Sequence, residues 1–205
     1  MRTETLNIAI LPSDEVMAQA IAMSRKIANE IESRFILNPN SLIPHITVYQ
    51  AQYPIGNMDK LKSIAKALSV ERELFEIKLE AITISHETFL FWNCEKSQIL
   101  QNLQKKAVEL ANPLRGGLIP ASLADVEGLS KGDRYDVEHY GALLIGSRYE
   151  PHITIARLNK KEDAEKAIRA LSGSNELLFK PKGLFLGYLG DHGTVNEIIE
   201  NFRFR

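Results

Sequence analysis

Pro44-His45-Ile46-Thr47-Val48-Tyr49-Gln50 recurs in plan as Pro151-His152-Ile153-Thr154-Ile155-Ala156-Arg157. Both stretches are rich in β-branched residues and alternate polar with aliphatic, which reads as a strand with one buried face. On such a strand His45 and Thr47 share one face and Ile46 and Val48 the other; His152 and Thr154 oppose Ile153 and Ile155 in the same way. The aliphatic faces belong in a core. The His/Thr faces must meet solvent, a partner or a ligand.

The flanking chain repeats as well. A helical pattern precedes each strand, over Asp14–Phe35 behind the N-cap Ser13 and over Ser97–Ala111. A second helical pattern follows each strand. The first carries Leu61, Ile64, Ala65 and Leu68 behind Asn57. The second carries Ala164, Ala167, Ile168 and Leu171 behind a capping-box pair, Asn159 and Glu162. Leu61 follows His45 by four residues more than Ala164 follows His152. Glu73-Leu74 follows by the same four more than Glu176-Leu177, so one change of loop length accounts for both. Hairpins close the two halves: Leu74–Ile84 with Thr88–Asn93, and Leu177–Leu189 with Val195–Phe204. A short strand, Leu6–Leu11, opens the chain.

The expectation is an α+β fold of two pseudo-symmetric lobes, each an antiparallel sheet with helices outside and a central cleft between them. Lobe one spans about 1–95 and lobe two about 96–205. An insertion at about 112–150, with a short helix over Tyr135–Leu144, lies ahead of the second motif. A connection this long suggests a functional wall or lid.

The chain has 205 residues, 44% of them hydrophobic and 25% charged. That excludes a disordered, collagen-like or disulfide-scaffold protein. Lys plus Arg number 25 against 26 Asp plus Glu, a net charge of −1. The balance argues against gripping long duplex nucleic acid. The single cysteine, Cys94, has no internal partner, which fits a reducing compartment. No apolar run is long enough for a membrane span, and the N-terminus lacks a signal-peptide pattern. The expectation is a cytoplasmic monomer.

Two imidazoles and two hydroxyls converging on one cleft suit phosphoester chemistry without a metal. One His takes a proton from water and the other protonates the leaving oxygen. Thr47 and Thr154 donate to the non-bridging oxygens. The sequence does not say which His is base and which acid. The five histidines show no H-E-x-x-H spacing, and Cys94 has no CxxC partner. No metal or cofactor is expected: Arg115-Gly116-Gly117 is too short for a P-loop, and Gly141 and Gly146 make no dinucleotide fingerprint.

The two tetrads resemble the paired HxTx motifs of the two-histidine phosphoesterase superfamily, which includes RNA 2′,3′-cyclic phosphodiesterases and 2′,5′-RNA ligase-like proteins. The resemblance covers nearly the whole chain. It implies a bilobal α+β fold and hydrolysis of a cyclic or 2′,5′-type phosphoester on a nucleotide or RNA end. Its catalytic His and phosphate-binding Thr functions fall on His45, His152, Thr47 and Thr154. The 112–150 insertion departs from the pattern. A non-catalytic RNA-end or nucleotide-binding module and a 2′,5′-RNA ligase are the alternatives.

Three further residues are candidate substrate contacts. Tyr49 shares the face of His45 by strand parity, so it either stacks on a base or packs at the strand end. Arg157 resembles an Arg found after the second motif in the family, but parity puts it opposite His152, favouring a structural or rim role. Tyr188 either lines the cleft or packs in the core. His86 and His192 fall in hairpin turns and His139 on the insertion helix, where exposure is expected. Arg115, Lys131, Arg134 and Arg148 would make the insertion mildly cationic.

Overall fold

A computed structural model describes residues 2–125, 127–171 and 176–205. In chain order the elements are β1 (Thr3–Leu11), α1 (Asp14–Glu30), β2 (Ile46–Pro54), α2 (Met58–Val70), β3 (Ile77–Ser85), β4 (Phe89–Cys94), α3 (Gln98–Ala111), α4 (Lys131–Tyr140), β5 (His152–Arg157), α5 (Lys161–Ala170), β6 (Leu177–Phe179), β7 (Gly183–Leu189) and β8 (Val195–Arg203). No helix among the described residues is long and apolar enough to cross a membrane.

The strands form one antiparallel sheet in the order β6-β3-β4-β5-β2-β1-β7-β8. The two motif strands lie side by side at its middle, joined at Ile46 and Ile153. Outward from that seam each half has four strands. Helices α2 and α3 pack on the β2-β1-β7-β8 half, and α1 and α5 on the β5-β4-β3-β6 half. The sheet therefore divides differently from a cut near residue 95. Hairpin β3–β4, from the first part of the chain, joins the second motif. Hairpin β7–β8, from the end, joins the first. Short turns make each hairpin a unit that pairs where its edge is satisfied, whatever its place in the chain.

The aliphatic faces of the strands and the inner helix stripes make one large core, with Ile8, Ile10, Ile46, Tyr53, Trp92, Ile153, Ile155 and Leu186 fully buried. On the opposite face Ala9, Ile43, Phe185 and Val195 form a small second cluster under the first motif.

Several boundaries differ from the sequence pattern for identifiable reasons. Helix α1 stops at Glu30, because Ile31 turns extended and the chain then pairs with the end of β5. The Arg34 amide donates to the Arg157 carbonyl at 2.8 Å. Helix α4 begins earlier than Tyr135, where Ser130 caps it by accepting from the Asp133 amide at 3.1 Å. It ends where Gly141 takes the left-handed conformation. The Asn159–Glu162 capping box does not form: the helix starts behind Lys160 with no side-chain cap, and Asn159 Oδ1 is buried without a partner. Asn57 makes no cap bond either; its amide donates to the Leu114 carbonyl and ties α2 to the insertion.

Candidate active site

Each motif begins with a proline that aims the histidine after it. His45 Nδ1 lies 2.7 Å from the Ile43 carbonyl, and His152 Nδ1 lies 2.6 Å from the Glu150 carbonyl. In both cases the acceptor is the residue before the proline. A carbonyl only accepts, so both Nδ1 atoms carry the proton and both Nε2 atoms are free. The Ile43 amide donates to the Val195 carbonyl, which fixes the approach to the first motif.

The rings are wedged by aromatics. His152 stacks on Phe91 with centroids 3.5 Å apart, and His45 meets the edge of Phe185 at 6.2 Å. Burial pushes His45 below the usual imidazole value, against the pull of its bond to Ile43. Burial likewise lowers His152, to about 4. The Glu150 carbonyl opposes that shift, while the nearby His45 and His86 imidazoles add to it. Both rings are therefore neutral at pH 7, and an entering anion favours protonating one of them.

The antiparallel seam at Ile46 and Ile153 sets Thr47 toward His152 and His45 toward Thr154. Thr47 Oγ accepts from Asn7 Nδ2 at 3.0 Å, which leaves the hydroxyl proton of Thr47 to donate into the cleft. Asn7 is fully buried and its Oδ1 has no partner. The Thr47 carbonyl accepts from the buried Tyr149 hydroxyl at 2.9 Å, so the end of the insertion braces the first motif.

Both motif strands carry a bulge at the same place. Ala9 pairs with Thr47 and Ile8 with Tyr49, leaving Val48 as the extra residue. Phe91 pairs with Thr154 and Leu90 with Ala156, leaving Ile155 extra. A bulge inverts strand parity beyond it. Tyr49 therefore turns onto the core face and is 1% exposed. Its hydroxyl lies 2.7 Å from the Tyr140 carbonyl and 3.0 Å from Asn112 Oδ1, holding the insertion in place. The expected sharing of a face with His45 is thus corrected: Tyr49 reaches the cavity lining from the core side, with its ring almost fully buried. Arg157 is corrected in the opposite sense, because the bulge brings it onto the His152 side. There its guanidinium lies over Phe89 at 4.7 Å, and Nη1 is 2.7 Å from His192 Nδ1. Gln50, the equivalent of Arg157 in the first motif, comes onto the Thr47 side in the same way. Tyr188 pairs with Leu6 and packs against the main core, away from the residues that line the cleft.

A cavity of about 280 Å³ opens over these strands, bounded by Thr47, Gln50, Phe91, His152 and Thr154 below. His86 and His192 are also among the lining residues; His86 is exposed in its turn as expected, and His192 is half-buried. The insertion supplies the wall, as expected of it, through Ala142–Ile145. Gln104 grips that wall from α3, donating to the Leu144 carbonyl at 2.9 Å and accepting from the Gly146 amide at 3.0 Å. Two of the insertion's arginines are tied inward. Buried Arg115 donates to Asn112, Leu118 and Glu138, and Arg148 pairs with buried Asp136. Sequence reasoning missed Asn7, Gln50, His86, Gln104 and His192. Only Gln50 left a signal, by its place in the repeat. His139 stacks on Tyr135 on the exposed side of α4. Among the described residues no three His, Cys, Asp or Glu side chains converge as a metal site.

A model of the 2′-5′ RNA ligase superfamily matches residues 28–192. The fold is similar to that of TT0787 of Thermus thermophilus, at 17% identity over 98% of both chains with a TM-score of 0.64. It is also similar to E. coli LigT complexed with 3′-AMP, at 13% identity over 99% of both chains with a TM-score of 0.60. LigT complexed with phosphate matches at 12% identity over 100% of this chain and 99% of that one, TM-score 0.58. No curated protein matches the sequence.

Proposed function

Because the chain belongs to the 2′-5′ RNA ligase superfamily, we propose that it is a metal-independent phosphodiesterase that opens a 2′,3′-cyclic phosphate, or a related small phosphoester, on a nucleotide or RNA end. One observation carries the reading: His45 and His152 are held alike, each Nδ1 on the carbonyl two residues back, each Nε2 free, on strands that meet in register.

The phosphate sits between the two tetrads. Its negative charge raises the imidazole that it approaches, so one His enters the reaction protonated and the other neutral. The neutral Nε2 takes the proton of the attacking water. The imidazolium gives its proton to the departing ribose oxygen as the P–O bond breaks. Thr47 and Thr154 donate to the non-bridging oxygens as charge grows on them, a placement typically worth about 10²–10³ in rate per donor. The product is a phosphate monoester with one free ribose hydroxyl, and the proton states of the histidines are exchanged. Phe91 and Phe185 keep each ring in plane while this happens. That E. coli LigT was captured with 3′-AMP and with phosphate accords with a small phosphoester.

A ligase reading shares the site, since the same proton transfers run in reverse join a hydroxyl to a cyclic phosphate. Water at cellular concentration favours hydrolysis. A substrate panel with chelator present tests the proposal: 2′,3′-cyclic nucleotides, cyclic-phosphate-ended RNA and 2′,5′-linked oligonucleotides. Turnover of the cyclic substrates is expected. Turnover that disappears with the metal, or binding without turnover, overturns it.

A further inference from the structure

A second cavity, of about 520 Å³, lies behind the wall of the catalytic cleft, between α3 and the end of α4 with the chain that follows it. The two cavities share Gln104 and Ile145 in their linings. The partition between them is the segment 144–146: Leu144 lines the cleft, Ile145 lines both cavities and Gly146 lines the second. Asn112 adds another link. It lines the second cavity and accepts, at 3.0 Å, from the hydroxyl of Tyr49, which lines the first.

The partition is strained. Leu144 (φ +59°) and Gly146 (φ +64°) are both left-handed, with Ile145 extended between them. Left-handed backbone is disfavoured outside glycine and persists only where the surroundings over-determine it. Here Gln104 donates to the Leu144 carbonyl and accepts from the Gly146 amide. Buried Asp136 accepts from the Ile145 amide at 3.1 Å while it pairs with Arg148. Lys96 closes the far end on the Ser147 carbonyl. A ligand packed against Ile145 and Gly146 from behind therefore bears directly on the residues that shape the cleft.

The lining of the second cavity selects an uncharged ligand. Its two charged side chains, Lys105 and Glu109, pair with each other at 3.9 Å, so among the described residues it holds no unbalanced charge. Amides supply the polar contacts. Gln98 donates to Asn102 Oδ1 at 2.9 Å, and Gln101 donates to the Lys96 carbonyl at 3.1 Å. That leaves the Gln98 and Gln101 side-chain oxygens, the Asn102 amide protons and the Ser147 hydroxyl without partners among the described residues. Val108, Pro113, Ile145 and the Tyr140 ring supply apolar surface. A nucleobase meets both demands: its face stacks on an aromatic ring, and its edge offers the adjacent donors and acceptors that amides pair with. The volume is that of an ordinary small-molecule site.

We propose that this second cavity binds an uncharged nucleobase, as a free nucleoside or within an RNA chain, and that the bound base braces the shared wall of the catalytic cleft. The site goes beyond the proposed hydrolysis and does not depend on its direction. A wall ordered from behind leaves less for a cleft ligand to order, so each site tightens the other's ligand.

Calorimetry with adenosine, guanosine, cytidine and uridine tests this without turnover. At least one is expected to bind with the cleft saturated by adenosine 3′-phosphate, and to tighten adenosine 3′-phosphate by about fivefold or more. Asn102→Trp fills the cavity from an exposed position on α3. It is expected to abolish nucleoside binding and to leave turnover of a 2′,3′-cyclic nucleotide unchanged. The Gln98→Ala, Asn102→Ala double variant removes the amides instead and serves as the second variant. A dinucleotide ending in a 3′-phosphate separates the sources of the base. Displacement of the nucleoside by the dinucleotide, and not by adenosine 3′-phosphate, assigns the cavity to the next residue of an RNA chain; simultaneous binding assigns it to a free nucleoside. Failure of adenosine 3′-phosphate to bind counts against the proposed function and not against this site; slower hydrogen exchange of the Ile145 and Gly146 amides with nucleoside bound then reads the coupling. The proposal is overturned if no nucleoside binds, if binding survives in both variants, if adenosine 3′-phosphate displaces the nucleoside, or if the cleft affinity is unchanged or weakened.

Discussion

Ile46 lies opposite Ile153 at the seam where the two halves of the sheet join. The two hold the same place in their motifs, so everything one motif presents to the cleft is answered by the other across an approximate twofold. That makes the differences between the halves informative. The first motif has Asn7 beneath Thr47 and Gln50 beyond it; the second has Phe91 beneath His152 and Arg157 beyond it.

Asn7 separates activity from stability. Its amide orients the Thr47 hydroxyl while its own Oδ1 is buried without a partner. Asn7→Leu removes an unsatisfied acceptor, so a urea midpoint equal to or above wild type is expected. It also frees the Thr47 proton to point elsewhere, so kcat should fall about tenfold with KM little changed. A destabilised variant with intact kcat would mean that Asn7 only fills space.

The lowered histidines set the pH dependence. Both free-enzyme imidazoles titrate below 6.5, His152 near 4. The productive form needs one protonated, and its population declines as pH rises above both values. The profile of kcat/KM against pH should therefore peak below 6.5 and decline toward neutrality. The kcat profile should peak at higher pH, because bound phosphate raises the pair. A kcat/KM maximum above pH 7 would contradict this.

The same shift is a stability statement. His152 holds its proton less well folded than unfolded, so its contribution is complete above about 6.5 and is lost as pH falls toward 4. The loss is of the order of 3 kcal/mol at most. His152→Asn should flatten the acid limb of a stability–pH curve over that window. An unchanged limb would place the proton sensitivity elsewhere.

Gln104 clamps the cleft wall. Truncating it to Ala strands the Leu144 carbonyl and the Gly146 amide. A loss of about 2–4 kcal/mol in urea unfolding is expected, together with a KM increase larger than the change in kcat. A wall that holds without Gln104 would leave KM unchanged.

The alternation in the two motif strands leads to the expectation of His45, Thr47, His152 and Thr154 on one cleft; Thr47, His152 and Thr154 line the cavity, and His45 is buried within electrostatic reach of His152. Period two holds from His45 to Thr47 and fails one residue later. The bulges at Val48 and Ile155 carry no signature, since a β-branched residue suits a paired or a bulged position alike, and so strand parity puts Tyr49 and Arg157 on the wrong faces. The exchange of hairpins between halves is hidden for a similar reason: a hairpin's pattern records which face is buried but not which neighbour it pairs with. His86 and His192 sit in turns, where a polar residue is expected whether or not it faces a site. The insertion's wall is set in part by Gln104, whose bonds to Leu144 and Gly146 reach some forty residues along the chain, and by Arg115, whose bond to Glu138 spans 23.

The central claim is that His45 and His152 act as one acid–base pair. Its most direct test is turnover of a 2′,3′-cyclic nucleotide, in chelator, by wild type, His45→Ala, His152→Ala and the double variant. The account predicts that each single change lowers kcat by about 10²–10⁴. The double variant should be scarcely worse than either single change, since the pair works as a unit, and each variant should still unfold cooperatively. Wild-type turnover by either single variant would contradict it.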